Sequence, residues 1–283
     1  MPPARDPFTP PAGQPPAWRD RLITSVRRRK WRGFLRLYSL LKPIHARRQL
    51  RVVTRYGSQF FLTPWDSVDT HVIAEGFYES EVLDSVRPAL AARDAVLWVV
   101  GSNFGLHAVT AKFLHPDAAV VAFEPSPAMG ARLLENCDLN RLKLHLHAYA
   151  LADTNSPRPF YANASGNPGM STLHPTDLNN YDHCFVVATR TAADVIAQRL
   201  APAPTAMIVD AEGAEIEVLR GFGTLLAAPA LRLVIFEAEN DFLGGRVSAE
   251  LHALLTGAGF TLRKLERHED TAHALSNFAA EKR

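Results

Sequence analysis

Cysteine is nearly missing from this chain: Cys137 and Cys184 are the two in 283 residues. They make no disulfide framework and have no metal-ligand spacing, so a stapled secreted scaffold and a cysteine-bound zinc are excluded and a reducing compartment is expected. Long apolar runs are absent too, and none approaches the roughly 18 residues of a spanning helix. The opening residues, MPPARDPFTPPAGQPPAW, are rich in proline and hold no apolar signal core, which argues against export and for a cytoplasmic protein. No Gly-x-Gly-x-x-Gly turn occurs, so the close pyrophosphate approach of a dinucleotide site is missing and a nicotinamide-dependent oxidoreductase is disfavoured. Internal repeats are lacking as well.

Acid is missing from one end. The formal charge of +2 hides a division in which residues 1–55 carry 14 Lys/Arg against 2 Asp/Glu, and residues 56–283 carry 17 against 27. An acidic body argues against a nucleic-acid groove. The basic run Arg27–Arg32, with Trp18, Trp31, Phe34 and Leu35 nearby, leaves three readings open: a solvated helix packed on the domain, a peripheral membrane or anionic-glycolipid contact, and nucleic-acid contact.

What is present is organised in three parts. Residues 1–17 form a Pro-rich tail expected to be disordered, and residues 18–60 a basic helical and hairpin extension. Within the extension, helical periodicity runs from Trp18 to about Arg48 with Pro43 as a breaker, and Leu50–Leu62 reads as a hairpin around Tyr56-Gly57-Ser58. Residues 61–283 form the main domain. After a turn and a short helix within Asp69–Pro88, strand Ala95–Val100, helix Phe104–Leu114, strand Ala118–Phe123, helix Pro127–Asn140 and strand Leu142–Leu151 alternate. An excursion of β-structure at Phe160–Leu173 and Phe185–Arg190 surrounds the loop ASGNPGMST. Helix Ala192–Leu200, strand Ala206–Asp210, a helix begun by AEGAEIEVLRGF, strand Leu231–Glu239, helix Ser248–Ala258 and strands Phe260–Glu266 and His273–Phe278 complete the pattern. Alternation of this kind predicts an α/β fold built on a mostly parallel sheet with helices on both faces.

The chemistry gathers at two strand ends. Ala95–Gly105 reads AVLWVVGSNFG, an apolar run entering a Gly-x-x-x-Gly loop, and Val120–Pro127 reads VVAFEPSP, a second run ending in Glu124. The first supplies a tight turn where backbone can approach a ligand. The second supplies a carboxylate that can accept from ribose hydroxyls, although an acid there can also be a solvated strand end or a cap before Pro125. A nucleoside ligand without phosphates suits this loop better than a dinucleotide.

Here the chain resembles the FkbM-type methyltransferases, which use S-adenosylmethionine. The resemblance covers about Phe61 to Phe278 and rests on landmarks in order: EGFYESE (Glu75–Glu81), VVGSNFG (Val99–Gly105), FEPSP (Phe123–Pro127), ALAD (Ala150–Asp153), GMSTL (Gly169–Leu173), VDAEGAEIEVLRG (Val209–Gly221), IFEAE (Ile235–Glu239) and HALSNFAA (His273–Ala280). It implies a Rossmann-like class I fold of seven strands, the last antiparallel. It implies that Gly101, Ser102, Asn103 and Gly105 wrap the methionine end of the cofactor and that Glu124 holds the ribose diol. The turn at Ala150 and Asp153 would lie beside adenine, and Asp210 would face the sulfonium and the acceptor, with Glu212 close by on the following turn. Two positions depart from the family pattern: Val99 stands where the family carries an acid, and Ile208 where it carries a lysine.

The acceptor expected from the resemblance is a hydroxyl of a sugar, polyketide or related small metabolite or glycan. An ordinary carboxylate is a weak base for an alcohol, so Asp210 is expected to orient the acceptor or take the proton late, and His107, if it faces the pocket, to be the better-matched base. His107 packed within its helix is the alternative. Asp210, Glu212, Glu237 and Glu239 lie at strand ends where two of them could hold a divalent ion such as Mg²⁺, or simply be solvated. Asn163, Asn167, Met170 and Ser171 sit on a lid or a structural loop, and Tyr78 and Glu79 could close over the cofactor. The rival reading is a methyltransferase-fold binding or scaffolding module without catalysis, for which Val99 and Ile208 are the evidence.

Overall fold

In the computed structural model of the protein, the described residues are 49–64, 66–163, 168–176, 181–239, 243, 248–266 and 275–282. The tail, the basic helix expected at Trp18–Arg48, and Asn167 lie outside them, as does the side chain of Glu239.

The hairpin expected at Leu50–Leu62 forms as β1 (Leu50–Val53) and β2 (Gln59–Leu62). Two helices follow where one was expected, α1 (Ser67–Glu75) and α2 (Ser80–Leu90). Gly76, at φ 91°, closes α1, and Asp66 opens it by accepting from Val68 N and Asp69 N. The alternating region then gives β3 (Val96–Val100), α3 (Leu106–Leu114), β4 (Ala119–Phe123), α4 (Pro127–Leu139) and β5 (His145–His147). Next come β6 (Ala150–Leu151), β7 (Pro157–Ala162), β8 (His183–Arg190), α5 (Ala192–Ala197) and β9 (Ala206–Val209). The chain closes with α6 (Glu215–Arg220), β10 (Leu233–Glu239), α7 (Ala249–Gly257), β11 (Thr261–Lys264) and β12 (Leu275–Glu281).

Seven strands make the main sheet in the order β11-β12-β10-β9-β3-β4-β5. The pairs β10–β9, β9–β3, β3–β4 and β4–β5 are parallel, while β12 runs antiparallel to both neighbours. This is the seven-stranded class I methyltransferase arrangement with a reversed last strand. The order reverses between β3 and β4 on one side and β9 on the other, and that switch point opens a crevice at the carboxyl ends of these strands.

Because side chains alternate along a strand, β3 feeds two cores at once. Leu97 and Val99 join the core under α1–α4, while Trp98 and Val100 join the core under α5–α7. Trp98 is fully buried, and its indole N–H is satisfied by Pro202 O at 2.9 Å.

Three expectations need correction. The strand expected at Leu142–Leu151 is broken: β5 ends at the sheet edge, and Ala150 and Leu151 pair instead with Thr189 and Arg190 in a separate three-stranded sheet with β7 and β8. Apolar periodicity cannot tell one sheet from another. The last strand runs past Phe278 because Ala279 and Ala280 remain fully buried and stay in register with Ile235 and Val234. The domain boundary expected at residues 60 and 61 falls inside β2, whose Phe60 and Leu62 share one core with Leu50, Val72 and Val109. The edge of β2 is covered by α4: Asn136 and Asn140, one helical turn apart, accept from Phe61 N and Gln59 N at 2.9 and 2.8 Å.

Candidate active site

The switch point is built around Gly101. A side chain there is excluded, since a Cβ would fall 1.7 Å from the carbonyl oxygen of Asp210 at the end of β9, and its φ of 74° favours glycine. The loop that follows is held from several sides. Gly101 N and Ser102 N both donate to Phe123 O at 3.0 Å, and Ser102 Oγ donates to Val99 O at 2.7 Å. Gly105, at φ 92°, starts α3, and a Cβ on it would come within 2.9 Å of Leu133. Asn136 Nδ2 donates to Phe104 O at 3.0 Å, so α4 clamps the loop from outside.

Glu124, 6% exposed, spans this loop and the start of α4. Its Oε2 accepts from Asn103 N at 2.7 Å and its Oε1 from Ser126 N at 2.8 Å. Burial pushes the carboxyl up to about 7 against the pull of these two donors. Each oxygen keeps a further lone pair to offer a ligand.

Two chambers meet here. The first is lined by Gly101, Asn103, Glu124, Ala150, Phe160 and Met129, among others. The second is lined by Val68, Tyr78, Glu79, His107 and Glu237, among others. Gly101, Asn103, Gly169, Asp210 and Glu212 face both. Three residues other than glycine adopt left-handed backbone at this junction: Glu79, Asn103 and Glu212, at φ 52°, 49° and 49°. Such strain gathers where side chains must be aimed at a ligand.

The electrostatics follow from burial and crowding. Asp210 is raised well above an ordinary aspartate by burial first and then by Glu212, Glu79, Glu237 and Glu215. Glu212 is raised in the same way, to about 8. His107 is pushed down to about 4 by burial, lies edge-on to Phe77 at 5.6 Å, and has an Nδ1 buried with no hydrogen-bond partner. These environments narrow the gap expected from free side chains: burial and crowding draw the carboxyls up, and burial draws the imidazole down.

Of the residues singled out in the sequence, Gly101, Asn103, Glu124, Ala150, Asp210 and Glu212 come together at the first chamber, while Ser102 and His107 line the second. Gly105 lines neither and acts through packing against Leu133 and Val109. Asp153 is exposed and lines neither chamber, because it lies in the exposed turn that joins β6 to β7. Ser171 lines the first chamber and its Oγ accepts from Asn163 N at 3.1 Å. Among the described residues, no group of three or more His, Cys, Asp or Glu is placed to hold a metal ion. The apolar wall of Phe160, Met129 and Leu173 carries no sequence signal of its own, since each reads as ordinary core.

The segment carrying Gly169, Ser171 and Leu173 is tied down over the first chamber. Thr172 Oγ1 donates to Glu212 O at 2.7 Å, and Glu217 of α6 pairs with both Arg158 of β7 and His174, the latter at 2.9 Å.

Residues 100–262, more than half of the chain, match the methyltransferase FkbM domain. The chain is 30% identical over 182 residues to the hexuronic acid methyltransferase AglP of Haloferax volcanii, covering 64% of this chain and 70% of that protein. It is 26% identical over 148 residues to methyltransferase 1 of Beauveria bassiana, covering 45% of this chain and 58% of that protein. The magnesium protoporphyrin IX methyltransferase of Synechocystis PCC 6803, solved with bound SAM, aligns at a TM-score of 0.43 and 13% identity over 77% of this chain and 84% of that one. The family match starts at Val100, on the threshold of the glycine loop, and takes in that loop, Glu124, Asp210, Glu212 and Glu237: this chain belongs to the FkbM methyltransferase family.

Proposed function

We propose that this chain uses S-adenosylmethionine to methylate a hydroxyl of a sugar-type acceptor. The observation that carries the cofactor reading is Glu124, fixed at both oxygens by Asn103 N and Ser126 N on the wall of the first chamber. A rigid buried carboxylate at the end of the second strand of the crevice matches a ribose diol. The open space over Gly101 suits the methionine end, and Phe160, Met129 and Leu151 suit a flat apolar base.

The cofactor supplies a methyl already activated on a sulfonium. The protein then has to align the acceptor, exclude water and take its proton. Asp210 and Glu212, at the junction, are the groups for that proton, because a carboxyl raised toward neutrality is a better-matched base for an alcohol than an ordinary one. His107, neutral in this site, can accept a hydrogen bond from the acceptor and orient it.

The sugar class is supported by the likeness to AglP, whose name gives a hexuronic acid. The second chamber is lined by Glu79, Asp210, Glu212 and Glu237, a setting hostile to a carboxylate beside the reacting hydroxyl. A neutral hexose is therefore the first acceptor to try. Calorimetric titration of the full-length chain with S-adenosylmethionine, alongside Glu124→Ala, tests the reading. Micromolar binding lost in the variant supports it, and no binding up to millimolar cofactor sinks it. Transfer of isotope-labelled methyl to hexosides, compared with hexuronides and amines, then tests acceptor and atom.

A further inference from the structure

Outside both chambers, two buried carboxylates share one guanidinium. Asp66, which opens α1, and Asp69, in its first turn, are 5% and 0% exposed. Arg132 of α4 reaches both, with its guanidinium 2.6 Å from Asp69 Oδ2 and 3.5 Å from Asp66 Oδ2. Asp69 Oδ2 also accepts from Thr63 N and Thr63 Oγ1, at 2.5 and 2.8 Å, while Asp66 Oδ1 accepts from Val68 N and Asp69 N, at 2.9 and 3.3 Å. Asp69 Oδ1 and Asp66 Oδ2 are left buried with no hydrogen-bond partner. When both carboxyls are ionised, one negative charge stays uncompensated in a buried place, and a single proton cancels it. The other titratable groups on the packed elements do not answer that charge. His71 is turned to Ser67 O and the Tyr78 ring, Glu75, Glu135 and Asp138 are exposed, and His107 packs on Phe77. The cluster bears on the walls of the crevice: Arg132 lies over the Phe104 ring at 4.8 Å, and Phe104 lines the second chamber together with Val68, whose N–H is held by Asp66.

We propose that Asp66, Asp69 and Arg132 form a pH-sensitive latch, in which one proton held by the carboxyl pair fastens the first turn of α1, and with it the Val68 wall of the second chamber, to α4. Loss of that proton leaves two like charges on one guanidinium, and the turn loosens. The sign follows from burial. Burial first, and then the charge of Asp69, draws Asp66 from the ordinary 3.8 up to about 6, and burial raises Asp69 as well. A carboxyl raised on folding stabilises fully below its unfolded value and loses that contribution as pH climbs through the folded one. Acid therefore fastens the latch, and neutral pH releases the Val68 side of the second chamber.

Hydrogen exchange of the unliganded full-length chain, corrected for the intrinsic effect of pH on exchange, tests the latch. The amides of Thr63, Val68 and Asp69 are expected to open about tenfold more readily at pH 7.5 than at pH 5, the ratio that release of one proton from a group titrating near 6 gives. In Asp66→Asn, whose side chain caps a helix as well as aspartate does, the response is expected to vanish, because one carboxylate then faces one guanidinium. A wild-type ratio near one overturns the latch, and so does a variant that keeps the wild-type ratio. A second measurement on the wild type stands in if Asp66→Asn does not fold: in an NMR titration of the aspartate carboxyl carbons, a midpoint near 6 supports the shared proton, and midpoints all in the ordinary aspartate range overturn it.

Discussion

Val99 of β3 and Ile208 of β9 are partners in the parallel register, 2% and 3% exposed, and both floor the second chamber. The two positions at which this chain departs from the family pattern are thus one place in the fold. An acid at the first and a lysine at the second would face each other across neighbouring strands, and this chain has an apolar pair there instead. Replacing a buried ion pair by apolar residues is often neutral or stabilising, whereas losing one partner alone is costly. The paired exchange leaves no orphaned charge, which weakens the case for a dead module.

The exchange can be checked by a double-mutant cycle. Val99→Asp alone is expected to destabilise the fold by about 3–5 kcal/mol, as an unpaired buried carboxylate does. Adding Ile208→Lys is expected to recover at least about 1 kcal/mol through coupling. Urea unfolding of the four variants measures this, and strictly additive losses would show that the two side chains do not meet.

Gly101→Ala should be among the most damaging small substitutions. Its Cβ would be driven into the carbonyl of Asp210, at a backbone angle alanine dislikes, so β3 and β9 must separate at the crevice. A loss of about 2 kcal/mol or more is expected, together with loss of measurable cofactor binding. Thermal denaturation and calorimetry report the two effects separately.

On the proposed role of Glu124, cofactor binding is expected to depend on pH with a defined sign. Its carboxyl titrates near 7, and the protonated form surrenders an acceptor for a ribose hydroxyl. Affinity is expected to fall as pH drops from 8 to 6. Glu124→Gln is expected to bind about tenfold to a hundredfold more weakly at pH 8, the loss of hydrogen bonds to a charged acceptor, with a flatter profile. An unchanged profile in the variant would assign the titration to another group.

The unliganded protein should also lose stability as pH rises from 6.5 to 8.5. Glu124, Asp210 and Glu212 all have carboxyls raised above their unfolded values, so their contribution is complete below the unfolded pKa and is lost as pH climbs through the folded one. His107 is depressed and acts the opposite way, costing stability as pH falls below its unfolded value of 6.5. That window therefore isolates the carboxyls. The thermal midpoint should decline across it in wild type and decline less in Glu212→Gln.

Glu217 should matter to cofactor binding more than to the chemistry. It holds Arg158 and His174 together and so anchors the segment bearing Ser171 and Leu173 over the first chamber. Glu217→Gln is expected to raise hydrogen exchange across residues 168–176 and to raise KM several-fold with little change in kcat. A fall in kcat alone would place Glu217 in the reaction itself.

Local sequence was enough for whatever depends on near neighbours. The apolar run of β3, the left-handed turn at Gly101–Gly105 and the acid ending β4 were legible because each needs particular residue types within a few positions. The alternation of strand and helix carried the parallel sheet for the same reason, since right-handed crossovers leave few other ways to bury those strands. Tertiary structure alone decided what depends on distant meetings. Asp153 looked like a ligand residue until the break after β5 sent the chain into another sheet. Val99 and Ile208 looked like two separate defects until β3 and β9 paired. Asp210, Glu212 and His107 carried ordinary protonation expectations until burial lowered the imidazole, and burial with neighbouring carboxylates raised the two acids. Hydrophobic period and turn chemistry are short-range properties. Register, burial and the field of neighbouring charges exist only once residues about a hundred positions apart are brought within a few ångströms.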